Sequence, residues 1–122
     1  MSEPKLIIVD NLKQIVAWTK FGVMWRNETH ERLGSFYDNV ICDNDDKQIA
    51  YIKGCEVFSM AGEMLGQVKD IVVTTDDGLE LNRKSLIFNG RAVGVSSGDT
   101  LVGLAALVFL GKELSAQKGV ED

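Results

Sequence analysis

Apolar and polar positions recur along the first half of the chain in four similar blocks, Ile8 to Trp18, Met24 to Phe36, Val40 to Ile52 and Val57 to Val68. Each runs from an apolar pair through a polar turn to an aliphatic residue, a small Ala or Gly, and an apolar exit. The small residue falls at Ala17, Gly34, Ala50 and Gly66, in steps of 17, 16 and 16. A period that short holds one β-hairpin and little else. Polar clusters such as Asp10-Asn11, Asp43-Asn44-Asp45-Asp46 and Ala61-Gly62-Glu63 break the apolar stretches and mark turns. The second polar cluster, around Glu28 to Glu31, lacks glycine, which makes its hairpin turn less well specified.

Beyond residue 70 the pattern loosens. Ile71 to Thr75 reads as a strand, Asp76-Asp77-Gly78 as a turn, and residues 79–85 as less regular. Leu86-Ile87-Phe88 and Arg91 to Val95 flank Asn89-Gly90, which fits a type I′ turn because both residues tolerate positive φ. Ser96 to Thr100 offers a loop and a helix cap, and a helix is predicted over 100–117, with a frayed end at 118–122.

The expected fold is mainly β in a single domain. Tandem short hairpins over 6–71 form a curled antiparallel meander, further strands fill 72–97, and one C-terminal α-helix follows. The small residues suit a crowded centre where strands approach closely or bend. An open meander leaves edge strands that need cover, and the apolar run Leu101 to Leu110 would suit the same interface. Together these predict a homo-oligomer. The run is about half the length of a membrane span and is closed by Lys112 and Glu113, so a buried helix is expected and no membrane partner.

The segment Gln48 to Lys53 followed by Glu56 to Val68 resembles the four-fold β-flower family, a resemblance extending over residues 6–78. A second similarity joins Gly62-Glu63-Met64-Leu65-Gly66-Gln67-Val68-Lys69-Asp70 to PRC-barrel modules, whose small barrels carry a comparable run. The first resemblance implies a repeated β fold and no activity.

Charge narrows the partners. A net charge of −5 and a pI near 4.8 argue against binding long nucleic acid, which needs a basic face. One small anionic ligand could still be held by a few of the four arginines, Arg26, Arg32, Arg83 and Arg91. Cys42 and Cys55 read as thiols in a reducing cytoplasm. The lone His30 falls in a polar stretch at a hairpin tip and has no partner for acid–base chemistry nearby in the chain. The Asp43 to Asp46 cluster lacks the glycine and closing glutamate of a calcium loop. No metal, cofactor or catalytic set is expected.

Aromatic residues beside arginines are the best ligand-binding candidates: Trp18 and Trp25 with Arg26, and Phe88 with Arg91 across the Asn-Gly turn. A flat ring next to a guanidinium can hold a base by stacking and charge. The reading that follows is a non-catalytic, oligomeric β-repeat binding or scaffold protein. The alternative is a small-ligand sequestering protein that takes up a nucleotide signal, as a phage-encoded anti-defence protein would.

Overall fold

The computed structural model describes residues 5–116. Ten strands run up and down in chain order: β1 (Leu6–Asp10), β2 (Ile15–Lys20), β3 (Val23–Arg26), β4 (Arg32–Tyr37), β5 (Val40–Cys42), β6 (Gln48–Lys53), β7 (Glu56–Ser59), β8 (Met64–Thr74), β9 (Glu80–Phe88) and β10 (Arg91–Ser96). Each pairs antiparallel with its neighbour in sequence, and β10 closes on β1 with Val9 opposite Val95, so the sheet is a closed barrel. Helix α1 (Thr100–Ser115) follows.

The period in the sequence is a period of β-bulges. Where Ile8 and Val9 face Ala17 and Ile15, Val16 is the extra residue. Leu33, Ile49 and Leu65 are passed over in the same way in the next three hairpins. A bulge turns two consecutive side chains toward one face and bends the strand. Each aliphatic residue therefore packs on the core beside its small neighbour, and Ala17 and Ala50 are fully buried. A fifth copy escaped the sequence reading. Val93 is the extra residue between Ala92 and Gly94, which makes Val93-Gly94 the counterpart of Leu65-Gly66. Gly94 lies 28 residues after Gly66, twelve beyond the usual period.

Those additional residues lengthen β8 and β9. Pairing with β7 ends at Gln67 and pairing with β10 ends at Lys84, yet β8 and β9 stay paired out to Thr74 and Glu80. The two strands thus leave the barrel as a hairpin arm. Residues 79–85, expected to be less regular, are mostly strand. The signal was weak because Glu80, Asn82, Arg83 and Lys84 break the apolar alternation, while pairing with the β-branched run of β8 supplies the order.

Helix α1 lies inside the barrel. It packs against β8, β9 and β10 and also against β1, β4, β6 and β7. Val102, Leu104, Ala105, Ala106, Leu107, Leu110 and Leu114 are all buried. A helix apolar on all sides belongs in a core. The bulge-associated glycines make the room. A Cβ on Gly66 would come 3.0 Å from Leu107, and one on Gly34 would come 2.6 Å from the Phe109 ring. Asp99 caps the helix by accepting a hydrogen bond from the Val102 amide (3.3 Å). The helix was expected over 100–117. It ends at Ser115 with a cap at Ala116, and residue 117 and the expected frayed end lie outside the described residues.

This placement corrects the two arguments made above for an oligomer. The apolar helix is not an interface, because its own barrel covers it. The meander has no open edge along the barrel wall, because β1 and β10 close it. The turns otherwise follow expectation. Asn89 and Gly90 both have positive φ (52° and 80°), as a type I′ turn requires. The exit-end turns without glycine use Lys13, His30 and Asp46 in that role, at φ 66°, 63° and 61°.

Candidate functional site

Strand alternation sorts the turns onto two ends of the barrel. The helix enters at the end carrying Phe21-Gly22, Asp38-Asn39, Gly54-Cys55 and the arm. It finishes at the end carrying Asp10 to Gln14, Arg26 to Glu31, Asp43 to Lys47, Ser59 to Glu63 and Asn89-Gly90.

Three of the five candidate residues, Arg26, Phe88 and Arg91, lie at the exit end and are engaged with the chain itself. The Arg26 guanidinium binds the Glu113 carboxylate through Nη1 (2.6 Å) and Nη2 (3.0 Å), and its Nε reaches Glu31 (3.2 Å). The hydrogen bond to Glu113 raises the Arg26 pKa above the ordinary arginine value, against an opposing cost of burial. The same bond holds the Glu113 carboxyl below the usual carboxylate range. Arg91 donates from Nη2 to the Ser115 carbonyl (3.0 Å), satisfying one of the unpaired acceptors at the helix end. The Phe88 ring lies over Gly111, where a Cβ would come within 2.7 Å of it. Arg26, Phe88 and Arg91 thus anchor the helix terminus.

Trp18 and Trp25 face each other directly across β2 and β3, with ring centroids 4.4 Å apart and planes at 21°. That separation leaves no gap for a third ring. The cation beside them is not Arg26 but Lys5, whose Nζ sits 4.5 Å from the Trp18 ring. Two periods further on, Tyr51 and Phe58 stack in the same way at 5.5 Å. The structure therefore brings the tryptophans together and brings Phe88 and Arg91 to one helix end, but it does not join the two groups into one site.

Glu113 shows how weakly the latch should act on stability. Its folded-state pKa is depressed, so its contribution is complete above the ordinary carboxylate range and fades as pH falls through the folded value. With a half-exposed carboxylate, Glu113→Gln is expected to cost about 1 kcal/mol or less at neutral pH. The difference from the parent should vanish in acid, which urea titrations at neutral and acidic pH would show.

No cluster of His, Cys, Asp and Glu suited to a metal exists among the described residues. Cys42 is buried and Cys55 exposed, both as free thiols. Asp43 serves its own turn, its Oδ1 accepting from the amides of Asp45 (2.9 Å) and Lys47 (3.0 Å). No helix among the described residues is long and apolar enough to cross a membrane.

The feature the sequence reading missed is the arm at the entry end. Val72 (58%) and Leu79 (61%) are exposed on it, and Val73 is partly so. Asp70 and Lys84 form an ion pair across it. Its tip is built like the turns of the opposite end. The Leu79 amide donates to Thr75 Oγ1 (3.1 Å) and the Thr75 amide to the Leu79 carbonyl (2.9 Å). A cleft of about 520 Å³ beneath the arm is lined by Asp70, Val72, Asn82 and Lys84, among others. The available signal was the additional spacing between Leu65-Gly66 and Val93-Gly94.

Residues 44–79 match the family model of the PRC-barrel domain. The match takes in the Asp43 to Lys47 turn from Asn44 onward, strands β6, β7 and β8, and the tip of the arm. It supports the similarity drawn from Gly62 to Asp70, a stretch that closes one bulged hairpin and opens the arm. The β-flower resemblance has no such support. No curated protein and no solved structure matches the chain significantly.

Proposed function

We propose that this chain is a non-catalytic binding protein of the reducing cytoplasm that acts as an oligomeric scaffold. The observation that carries this reading is the occupant of the barrel. The lumen, where barrels of this size hold small ligands, is filled by helix α1, and the candidate arginines are spent on its terminus. Apolar contact surface is left on the outside, with Phe21 (70% exposed) and Tyr37 joining the arm at the entry end. Large apolar side chains left exposed on a small acidic protein suit a protein partner. PRC-barrel domains are generally non-catalytic, which agrees with this reading for the matched segment.

Sedimentation velocity combined with native mass spectrometry tests the proposal. The expected result at micromolar concentration is a discrete species heavier than the 13.4 kDa chain, with no additional small-molecule mass. A monomer throughout would overturn the oligomeric scaffold. A stoichiometric mass of a few hundred daltons would instead favour the nucleotide-sequestering alternative.

A further inference from the structure

We infer that the free edge of the arm on β8 is a self-association surface, which pairs with β8 of a second copy of this chain in antiparallel register centred on Val72. The inference rests on the oligomeric reading above and names the surface that would produce it.

The arm is an insertion in an otherwise regular repeat. Four bulged hairpins close the barrel at a spacing of 16 to 17 residues, and the fifth closes it the same way after a longer stretch. The barrel therefore does not need the additional residues, and they form a paired, ion-pair-braced hairpin outside it.

Both edges of the arm are unpaired among the described residues. The Val68 amide donates to the Cys55 carbonyl (3.0 Å), which sets the direction of alternate peptide groups along β8. The N–H and C=O groups of Asp70, Val72 and Thr74 must therefore point away from β9 with no strand beside them. Exposed edges of this kind are templates for another chain and are normally blunted by charge. Glu80 and Arg83 blunt the β9 edge. From Ile71 to Thr74 the β8 edge carries Ile, Val, Val and Thr, all β-branched and none charged.

Two-fold pairing fixes the register. A two-fold axis perpendicular to the sheet must pass through a pair of identical residues, since opposed side chains share a face. Centring on Val72 places Val72 against its own copy and Asp70 against Thr74, so all three free sets of peptide groups are used. Ile71 then opposes Val73, and Lys69 opposes Thr75. Each apolar residue faces an apolar one, and no like charges meet. Centring one residue to either side leaves one set unpaired or opposes it to a residue already bonded to β7 or lying in the turn.

The test uses the full chain. Wild type is expected to sediment as a dimer, and Val72→Lys, which opposes two ammonium groups on the axis, as a monomer that still melts cooperatively, its midpoint no longer dependent on protein concentration. In a Cys55→Ser background, Val72→Cys should form an intermolecular disulfide under mild oxidation, because hydrogen-bonded partners have Cα atoms about 5.5 Å apart, inside disulfide range. Val73→Cys should not, because its own copy is displaced by about 7 Å along the strand. A wild-type oligomer that survives Val72→Lys and gives no Val72→Cys cross-link would overturn the edge pairing and leave the scaffold standing. A wild-type monomer would overturn both.

Discussion

A chain ending at Asp99 should lose cooperative folding altogether. Helix α1 contributes Val102, Leu104, Leu107, Leu110 and Leu114 to the core, each with 4% or less of its surface exposed. Burying such a side chain is worth about 2 kcal/mol, so the set amounts to about 10 kcal/mol, comparable to the whole stability of a small domain at about 5–15 kcal/mol. The wall cannot compensate. Ala17, Gly34, Ala50, Gly66 and Gly94 project little or nothing into the lumen, so the barrel without its helix would enclose a void that side chains cannot collapse to fill. Water entering that space would meet Ile8, Met24, Val57 and Leu86, all fully buried. The expected thermal melt of the truncated chain, followed by near-ultraviolet circular dichroism, is shallow and without a transition. A sigmoidal melt would show that the barrel holds itself up. In the intact chain, Leu104→Ala is a milder version and should cost about 3 kcal/mol.

Gly34→Val is the second large effect, and it probes the same fit from the wall side. Gly34 has φ +154°, and its missing Cβ would come 2.6 Å from the Phe109 ring and closer still to the Cys42 carbonyl. Forcing volume into a packed core costs about 1–3 kcal/mol, and holding a side chain at an unfavourable φ costs about 1–3 kcal/mol more. A loss of about 4 kcal/mol is therefore expected, read as a lowered urea midpoint at unchanged slope. Combining Gly34→Val with Phe109→Ala separates the causes. The ring contact is relieved in the double variant, while the carbonyl contact and the backbone strain remain, so recovery should be partial. Full recovery would show that the backbone at Gly34 is unstrained. A loss below about 1 kcal/mol for Gly34→Val alone would show that the helix yields, contrary to close packing.

The helix is the barrel's core, and that decides where binding can occur. A lumen already filled moves binding to the outside surface. There the features are two stacked aromatic pairs and an arm whose β8 edge is unpaired. The edge-pairing inference gives the oligomeric reading a surface of its own, now that the helix and the barrel wall no longer supply one.

The hairpin repeat, the turn at Asn89-Gly90, a helix cap within Ser96 to Thr100 and the helix were legible in the sequence, because each is a local matter. Bulge periodicity, positive-φ turn chemistry and capping act within a few residues. The candidate site was less legible. Arg26 and Arg91 stand beside aromatics in the chain, yet Arg26 reaches Glu113, 87 residues away, and Arg91 reaches Ser115. A neighbour in a strand points to the opposite face, so adjacency to Trp25 could not place Arg26 over that ring. The sequence by itself determined that small residues recur every sixteen or seventeen positions and that one apolar helix follows. Only the tertiary structure decided that the first makes room for the second. Barrel closure depends on β1 meeting β10 across most of the chain, and it turned an apolar helix expected at an interface into the core of its own barrel.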